Sequence, residues 1–205
     1  MTSIRYSYIR HIGNFYVRAY PPPVGLRPLN TDARGMSRYL TQAAVPEQIG
    51  EILALIREHG PNPWNHLPEL ELAAHLAAIR RGRTQAVVAL SEGRIVAVVT
   101  FEASDDFHRY QPEGREIEWQ GHIGEAVVHR DHRGHGLGSA LLEAAVARLR
   151  QMGLVEIYVE RHEQNQGSAG MMRKAGFVAI DTFDDPGRRQ AGSRRTTVSR
   201  HQAHR

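Results

Sequence analysis

Residues 121–142 read GHIGEAVVHRDHRGHGLGSALL, and the order of residue types along this stretch decides the fold. Ile123, Ala126, Val127 and Val128 are apolar and strand-like, Arg133-Gly134-His135-Gly136-Leu137-Gly138 is a glycine-rich turn, and an amphipathic helix opens at Leu137. One change of direction does not need so many glycines. They belong where the backbone comes close to something bulky, or where φ is positive. Because a helix follows at once, the free N–H groups of its first turn face back into the glycine turn. Unpaired donors and the helix dipole favour an anion there, and the expected anion is a phosphate or pyrophosphate.

Two common phosphate motifs do not fit. No Lys-Ser/Thr pair follows the glycines, as the Walker loop requires. The spacing Gly134, Gly136, Gly138 also departs from the dinucleotide fingerprint. The pattern present is Arg-x-x-Gly-x-Gly, formed by Arg133, Gly136 and Gly138 behind Val128-His129-Arg130-Asp131-His132. It resembles the coenzyme A motif of the GNAT superfamily of N-acetyltransferases. A second stretch, Asn165-Gln-Gly-Ser168-Ala-Gly-Met171-Met172-Arg-Lys174-Ala-Gly176-Phe177, resembles that family's later motif. The features shared are an Asn, a small residue three on, two apolar or aromatic positions, then Lys-x-Gly-Phe. One helix and one strand separate the two motifs. The resemblance covers roughly residues 67–199 and is loose before them.

The resemblance implies an α/β (α+β) fold: a single domain over residues 25–200, built on a central mixed, mostly antiparallel sheet. One pair of parallel strands splays apart, and helices cover both faces. Residues 1–24 read as an extension, with an extra edge strand or a dimer contact as alternatives, and 201–205 as a basic tail.

Composition is consistent with one domain. A chain of 205 residues with 41% hydrophobic and 23% charged content buries a sizeable core. No apolar run approaches the ~18 residues needed to cross a bilayer, so no membrane partner is expected. No secretory h-region is visible in MTSIRYSYIRHIG, and a cytoplasmic compartment is the simplest expectation. Cysteine is absent, which excludes disulfides, thiolate zinc sites and a cysteine nucleophile. The net charge of +4 suits a polyanionic cofactor or a nucleic acid. No acid follows Asp185, while Arg188, Arg189, Arg194, Arg195, Arg200 and Arg205 do. Aromatic residues do not interleave with these arginines, which argues against stacking readout of nucleic acid. A solvated or cofactor-facing surface is expected instead.

Along the chain, Gly25–Leu29 reads as a first strand, and Asn30, Thr31 and Asp32 as caps opening a helix. Pro46 precedes a helix with Ile49, Ile52, Leu53 and Ile56 at helical spacing, ended by Gly60. Leu70, Leu72, Ala73, Leu76 and Ile79 mark the next helix. Gln85–Leu90 and Ile95–Phe101 read as a hairpin, Val155–Val159 as a strand, Ser168–Lys174 as a short helix, and Val178–Phe183 and Thr196–Ser199 as closing strands joined by a basic turn. The stripe Leu141, Leu142, Ala145, Val146, Leu149 is the buried face of the helix after the glycine turn.

By resemblance, the reaction is transfer of an acetyl group from acetyl-CoA to an amine of a small molecule or an exposed protein amine, by direct attack in a ternary complex. Cofactor contacts fall on Val127, Val128, Arg133, Gly134, His135, Gly136, Leu137, Gly138, Ser139 and Asn165, with the Val128 N–H donating to the thioester carbonyl. The loop between the first two helices shapes the acceptor pocket in the family. That makes Trp64 and His66 acceptor contacts, or else an anchoring aromatic and a surface histidine. Three residues compete as general base: His122 and Glu125 on the central strand, and Glu160 ending the next. A histidine titrates near ~6.5 unperturbed; a carboxylate base needs its pKa raised by burial.

Met172 departs from the family pattern, which usually has a tyrosine there to protonate the departing sulfur. A thioether donates no proton. Water, or Tyr158, is the substitute, and a weak or inactive CoA-binding regulator is the alternative function. His129, His132 and His135 recur every third residue, a spacing that invites a metal, but the intervening Arg130 and Arg133 repel a cation. No metal site is expected there. Domains of this family commonly pair, so a homodimer is one expectation; the acceptor is not named by the sequence.

Overall fold

The fold is that of a computed structural model, which describes residues 27–31, 37–65, 67–114 and 119–202. Its centre is the expected hairpin. β3 (Thr84–Ser91) and β4 (Arg94–Ser104) pair antiparallel around a tight turn at Glu92-Gly93. β5 (Gln120–Val128) adds antiparallel to β4, and β6 (Ile157–His162) adds parallel to β5. With β1 (Arg27–Thr31), β2 (Ser37–Ala43), β7 (Phe177–Asp184) and β8 (Arg195–His201), the described residues form one sheet in the order β1-β2-β3-β4-β5-β6-β8-β7. β5–β6 is the parallel neighbour pair; the other pairings are antiparallel.

Helices cover both faces. α1 (Ile49–His59) and α2 (Glu69–Arg80) pack Ile52, Ile56, Leu72 and Leu76 against Val88, Val98 and Val127 on one face. α3 (Leu137–Gln151) and α4 (Gln166–Lys174) pack Leu141, Leu142, Leu149 and Met172 against Val99, Phe101, Ile123 and Val159 on the other. Leu141, Leu142, Ala145 and Leu149 are each 0% exposed, so the stripe read from sequence is the buried one. At about 1.5–3 kcal/mol for each large side chain, this burial holds a helix that would be marginal in isolation.

Several local expectations are corrected. No helix opens at Asn30: Asn30 and Thr31 lie in β1, which turns back to pair with β2 through Leu29↔Tyr39 and Thr31↔Ser37. Cross-strand pairing overrides the cap signal there; Asp32 and residues 1–26 fall outside the described residues, as do 203–205. Leu70 is 86% exposed. It stands two positions before Leu72, which puts it about 200° around the helix from the buried face. β6 begins two residues later than expected and runs on through His162, because β8 pairs with it as far as His162↔Thr196. Glu160 therefore lies inside the strand and does not end it. α4 begins at Gln166, two residues before Ser168.

Candidate active site

β5 and β6 pair only through Gly121↔Ile157, His122↔Tyr158 and Ile123↔Val159. Beyond Ile123 they separate, and each has a reason. β6 follows β8 from Tyr158 through His162. β5 stays with β4 but carries a bulge: Phe101 pairs with Ile123 and Val99 with Ala126, so Gly124 and Glu125 together oppose Thr100. The Thr100 hydroxyl accepts from the Glu125 N–H at 2.8 Å and lies 2.8 Å from His75 Nε2. A Cβ on Gly124 would stand 3.1 Å from the Thr100 hydroxyl and 3.2 Å from the His75 ring, so these neighbours would have to give way to a side chain there.

The bulge decides what faces the opening. The His129 N–H donates to Val96 on β4, so by strand alternation the Val128 N–H points to the other edge, into the splay. Val127 turns its backbone toward β4 and its side chain into the core under α1 and α2. Strict alternation from Ile123 would aim Glu125 at α3. The extra residue turns it instead to the face of His122.

The glycine turn follows directly. Gly136 is the N-cap of α3 at φ 76°, and no side chain caps the helix there. A residue with a Cβ is strained at this φ. The first bond closing on the turn is from Ala140 N–H to Gly136 O at 3.0 Å, so the N–H groups of Leu137, Gly138 and Ser139 precede the helical ladder. Arg133 and Gly134 are exposed beside them. The turn is pinned from behind: the Tyr39 hydroxyl lies 3.1 Å from His132 Nδ1, His135 Nδ1 3.3 Å from His132 O, and the His59 ring 3.9 Å from that of His129. α4 docks close by. A Cβ on Gly138 would collide with Met171, and the Ser139 hydroxyl donates to Met171 O at 3.1 Å. Asn165 caps α4 by accepting from the Ser168 N–H at 3.0 Å. Free N–H donors, an exposed arginine and an unpaired strand edge in one cleft fit an extended ligand with a phosphate at one end and a carbonyl at the other.

Met172 is 4% exposed in the core beneath α4, with the Ser168 hydroxyl 4.0 Å from its sulfur. Tyr158 is stacked on Phe107 at 4.7 Å, and its hydroxyl donates to Glu156 at the closed end of the splay.

His122, Glu125 and Glu160 share the face of α1 and α2, in different electrostatic states. Burial lowers the His122 pKa, although the carboxylates of Glu160, Glu102 and Asp106 oppose it and Arg188 adds to the lowering. Burial would raise Glu160, but Arg188, bonded at 2.7 Å, together with His122 and Arg189, outweighs it and holds the carboxylate below its usual range. Burial raises Glu125 above the usual carboxylate value, against a hydrogen bond from Asn65 and the charge of Arg189.

Asn65, the hydrogen-bond partner of Glu125, lines a cavity of about 370 Å³. Pro61, Trp64, Asn65 and Leu67 of the α1–α2 loop form one wall, and Arg188, Arg189 and Ala191 of the β7–β8 loop form another, with His162 between them. Asn62 presents Trp64 by accepting from its N–H at 2.9 Å, and the indole packs on the His162 ring at 4.8 Å. His162 accepts from the Gln164 N–H at Nδ1, so Nε2 carries the proton that goes to Ala191 O. With both nitrogens engaged it is a neutral strut. Trp64 lines the cavity, and His66 lies outside the described residues. The sequence reading missed Asn65, His162 and the cavity role of Arg188 and Arg189, which it had placed on a solvated or cofactor-facing surface. The basic turn was visible; its proximity to Glu125 was not.

The model of the acetyltransferase (GNAT) family matches residues 49–177. N-alpha-acetyltransferase 30 of Saccharomyces cerevisiae is 27% identical over 66 residues, which span 32% of this chain and 38% of that relative. Arabidopsis thaliana Naa50, solved with a bisubstrate analogue, is similar with a TM-score of 0.60 at 17% identity, covering 81% of this chain and 99% of that one. The yncA protein of Salmonella typhimurium, a putative acetyltransferase solved with acetyl-CoA, gives a TM-score of 0.58 at 18% identity, covering 81% and 94% respectively. At these identities the structural likeness concerns the fold.

Proposed function

The chain belongs to the acetyltransferase (GNAT) family, and we propose that it transfers an acetyl group from acetyl-CoA to an amine by direct attack within a ternary complex. Acetyl-CoA supplies the thioester, and the chain holds and polarises it. Backbone N–H groups between Arg133 and Ser139 bind the pyrophosphate, with Arg133 alongside and the α3 dipole assisting. The Val128 N–H, on the open edge of β5, donates to the thioester carbonyl and stabilises charge that develops on its oxygen.

Of the three candidate bases, Glu125 is best suited. Its pKa is raised, so the carboxylate accepts a proton closer to neutral pH. Glu160 is engaged by Arg188, and His122 is set farther back beside Phe107. Glu125 takes the amine proton, directly or through a water, as the C–N bond forms and the C–S bond breaks. Solvent protonates the departing sulfur, since Met172 cannot and the Tyr158 hydroxyl is held by Glu156.

The observation that carries this reading is the β5 bulge, which turns Glu125 to the face of His122, where Asn65 of the cavity wall hydrogen-bonds it, while leaving the Val128 N–H on the open edge. The test is thiol release from acetyl-CoA across an amine panel, with calorimetry for CoA binding. Turnover on at least one amine, lost in Glu125→Gln, is expected; absence of any heat with CoA at millimolar concentration would refute the reading. A second reading, a CoA-binding regulator without catalysis, is favoured by the core-buried Met172 at the usual proton-donor position. Binding without turnover on any amine would select it.

A further inference from the structure

The cavity beside Glu125 also bears on which amine is used. Its lining includes Arg188, Arg189 and His162 and no carboxylate. His162 is neutral in the hydrogen-bonding arrangement described above. The two arginines differ. Arg188 is committed to Glu160 at 2.7 Å and Asp185 at 3.7 Å. Arg189 makes no ion pair among the described residues. Its Nε donates to the Thr196 hydroxyl at 2.8 Å, and that hydroxyl donates onward to Asp185 at 2.7 Å. The guanidinium is therefore oriented through one edge, leaving its terminal nitrogens for a ligand.

The surroundings of Arg189 are partly desolvated. Burial and the neighbouring Arg188 lower its pKa, while Glu160, Asp185 and Glu125 raise it; a guanidinium stays charged regardless. Asn65, which hydrogen-bonds Glu125, lines the same cavity as Arg189 and so links the two groups. A half-buried, oriented guanidinium is matched by an anion with planar oxygens, which it binds bidentately. At about 370 Å³ the cavity lies toward the small end of ligand pockets.

We propose that the acceptor is a small amine bearing a carboxylate, held with the carboxylate on Arg189 and the amine toward Glu125. This rests on the acetyltransferase reading and narrows it to acceptors of amino-acid type, against a polypeptide N-terminus engaged through neutral amides.

The test pairs the L-amino acids with their carboxamides. Binding is measured by calorimetry on the CoA-saturated protein, and turnover by thiol release on the same pairs. For at least one pair, the acid should bind tighter than its amide by about tenfold or more, the scale of a charged hydrogen bond in a partly buried site. Arg189→Ala should erase that preference and Arg189→Lys should restore part of it, with thermal melts showing that both variants fold. The proposal is overturned if acids and amides bind alike, if neither binds, or if Arg189→Ala leaves the preference intact. Acid preference without thiol release on any amine would sink the transferase reading and leave the anion site standing. Equal release from acids and amides would do the reverse.

Discussion

The turn at Arg133–Ser139 is made of consecutive residues and offers backbone N–H groups, whereas the cavity beside Glu125 is lined by residues of the α1–α2 loop, β6 and the β7–β8 loop. The turn depends on conformation at a few positions, above all positive φ at Gly134 and Gly136. The cavity depends on how separate elements meet. Changes at the turn should therefore alter cofactor affinity, and changes around the cavity should alter chemistry and acceptor use.

The largest effect should come from Glu125→Gln. We expect kcat to fall by about 100-fold or more, the scale for losing a general base, with CoA affinity unchanged by calorimetry. The wild-type pH profile supplies a signature. The base works only when deprotonated, so kcat/KM should be lost as pH falls through the Glu125 pKa. Because burial raises that pKa, the acid limb should lie above the ordinary carboxylate range. A limb that persists unchanged in Glu125→Gln would move the role to His122.

Gly136→Val should be next. Forcing a β-branched residue to φ 76° costs more than the ~1–2 kcal/mol typical of an L-residue in this region. CoA binding should weaken by about tenfold or more. Unchanged affinity would remove the turn from the cofactor site and dissolve the contrast.

Trp64→Ala should raise the acceptor KM several-fold, on the order of 1 kcal/mol for lost aromatic packing, and leave CoA affinity alone. A change in CoA affinity instead would show that the cavity and the turn are not separable. The smallest effect is expected for Asn165→Ala. Loss of the α4 N-cap should cost about 1 kcal/mol of stability in denaturant titration, while Asn165→Asp should retain most of it. A larger loss of CoA affinity than of stability in Asn165→Ala would give this residue a direct cofactor contact.

Much of the fold was legible because its signals are short-range. The α3 stripe, the β3–β4 hairpin and the glycine turn each reflect periodicity or local sterics within a few residues. Misreadings occurred where a distant partner decided the outcome. Asn30 and Thr31 carry cap chemistry but pair with β2. The strand around Tyr158 extends to His162 because β8 accompanies it. Leu70 is the exception, since local helical phase relative to Leu72 already puts it off the buried face of α2.

At the site, the same division holds. The residues from 121 to 142 announced a glycine turn with free N–H groups at a helix start by themselves, because these follow from a strand, glycines and an apolar stripe in that order. Nothing local revealed that one extra residue opposite Thr100 would turn Glu125 to the side of His122, or that Arg189, far along the chain, would approach it. Register and loop docking are settled by competition between non-local pairings and burial, and only the folded arrangement of β4, β5 and β8 decides that competition.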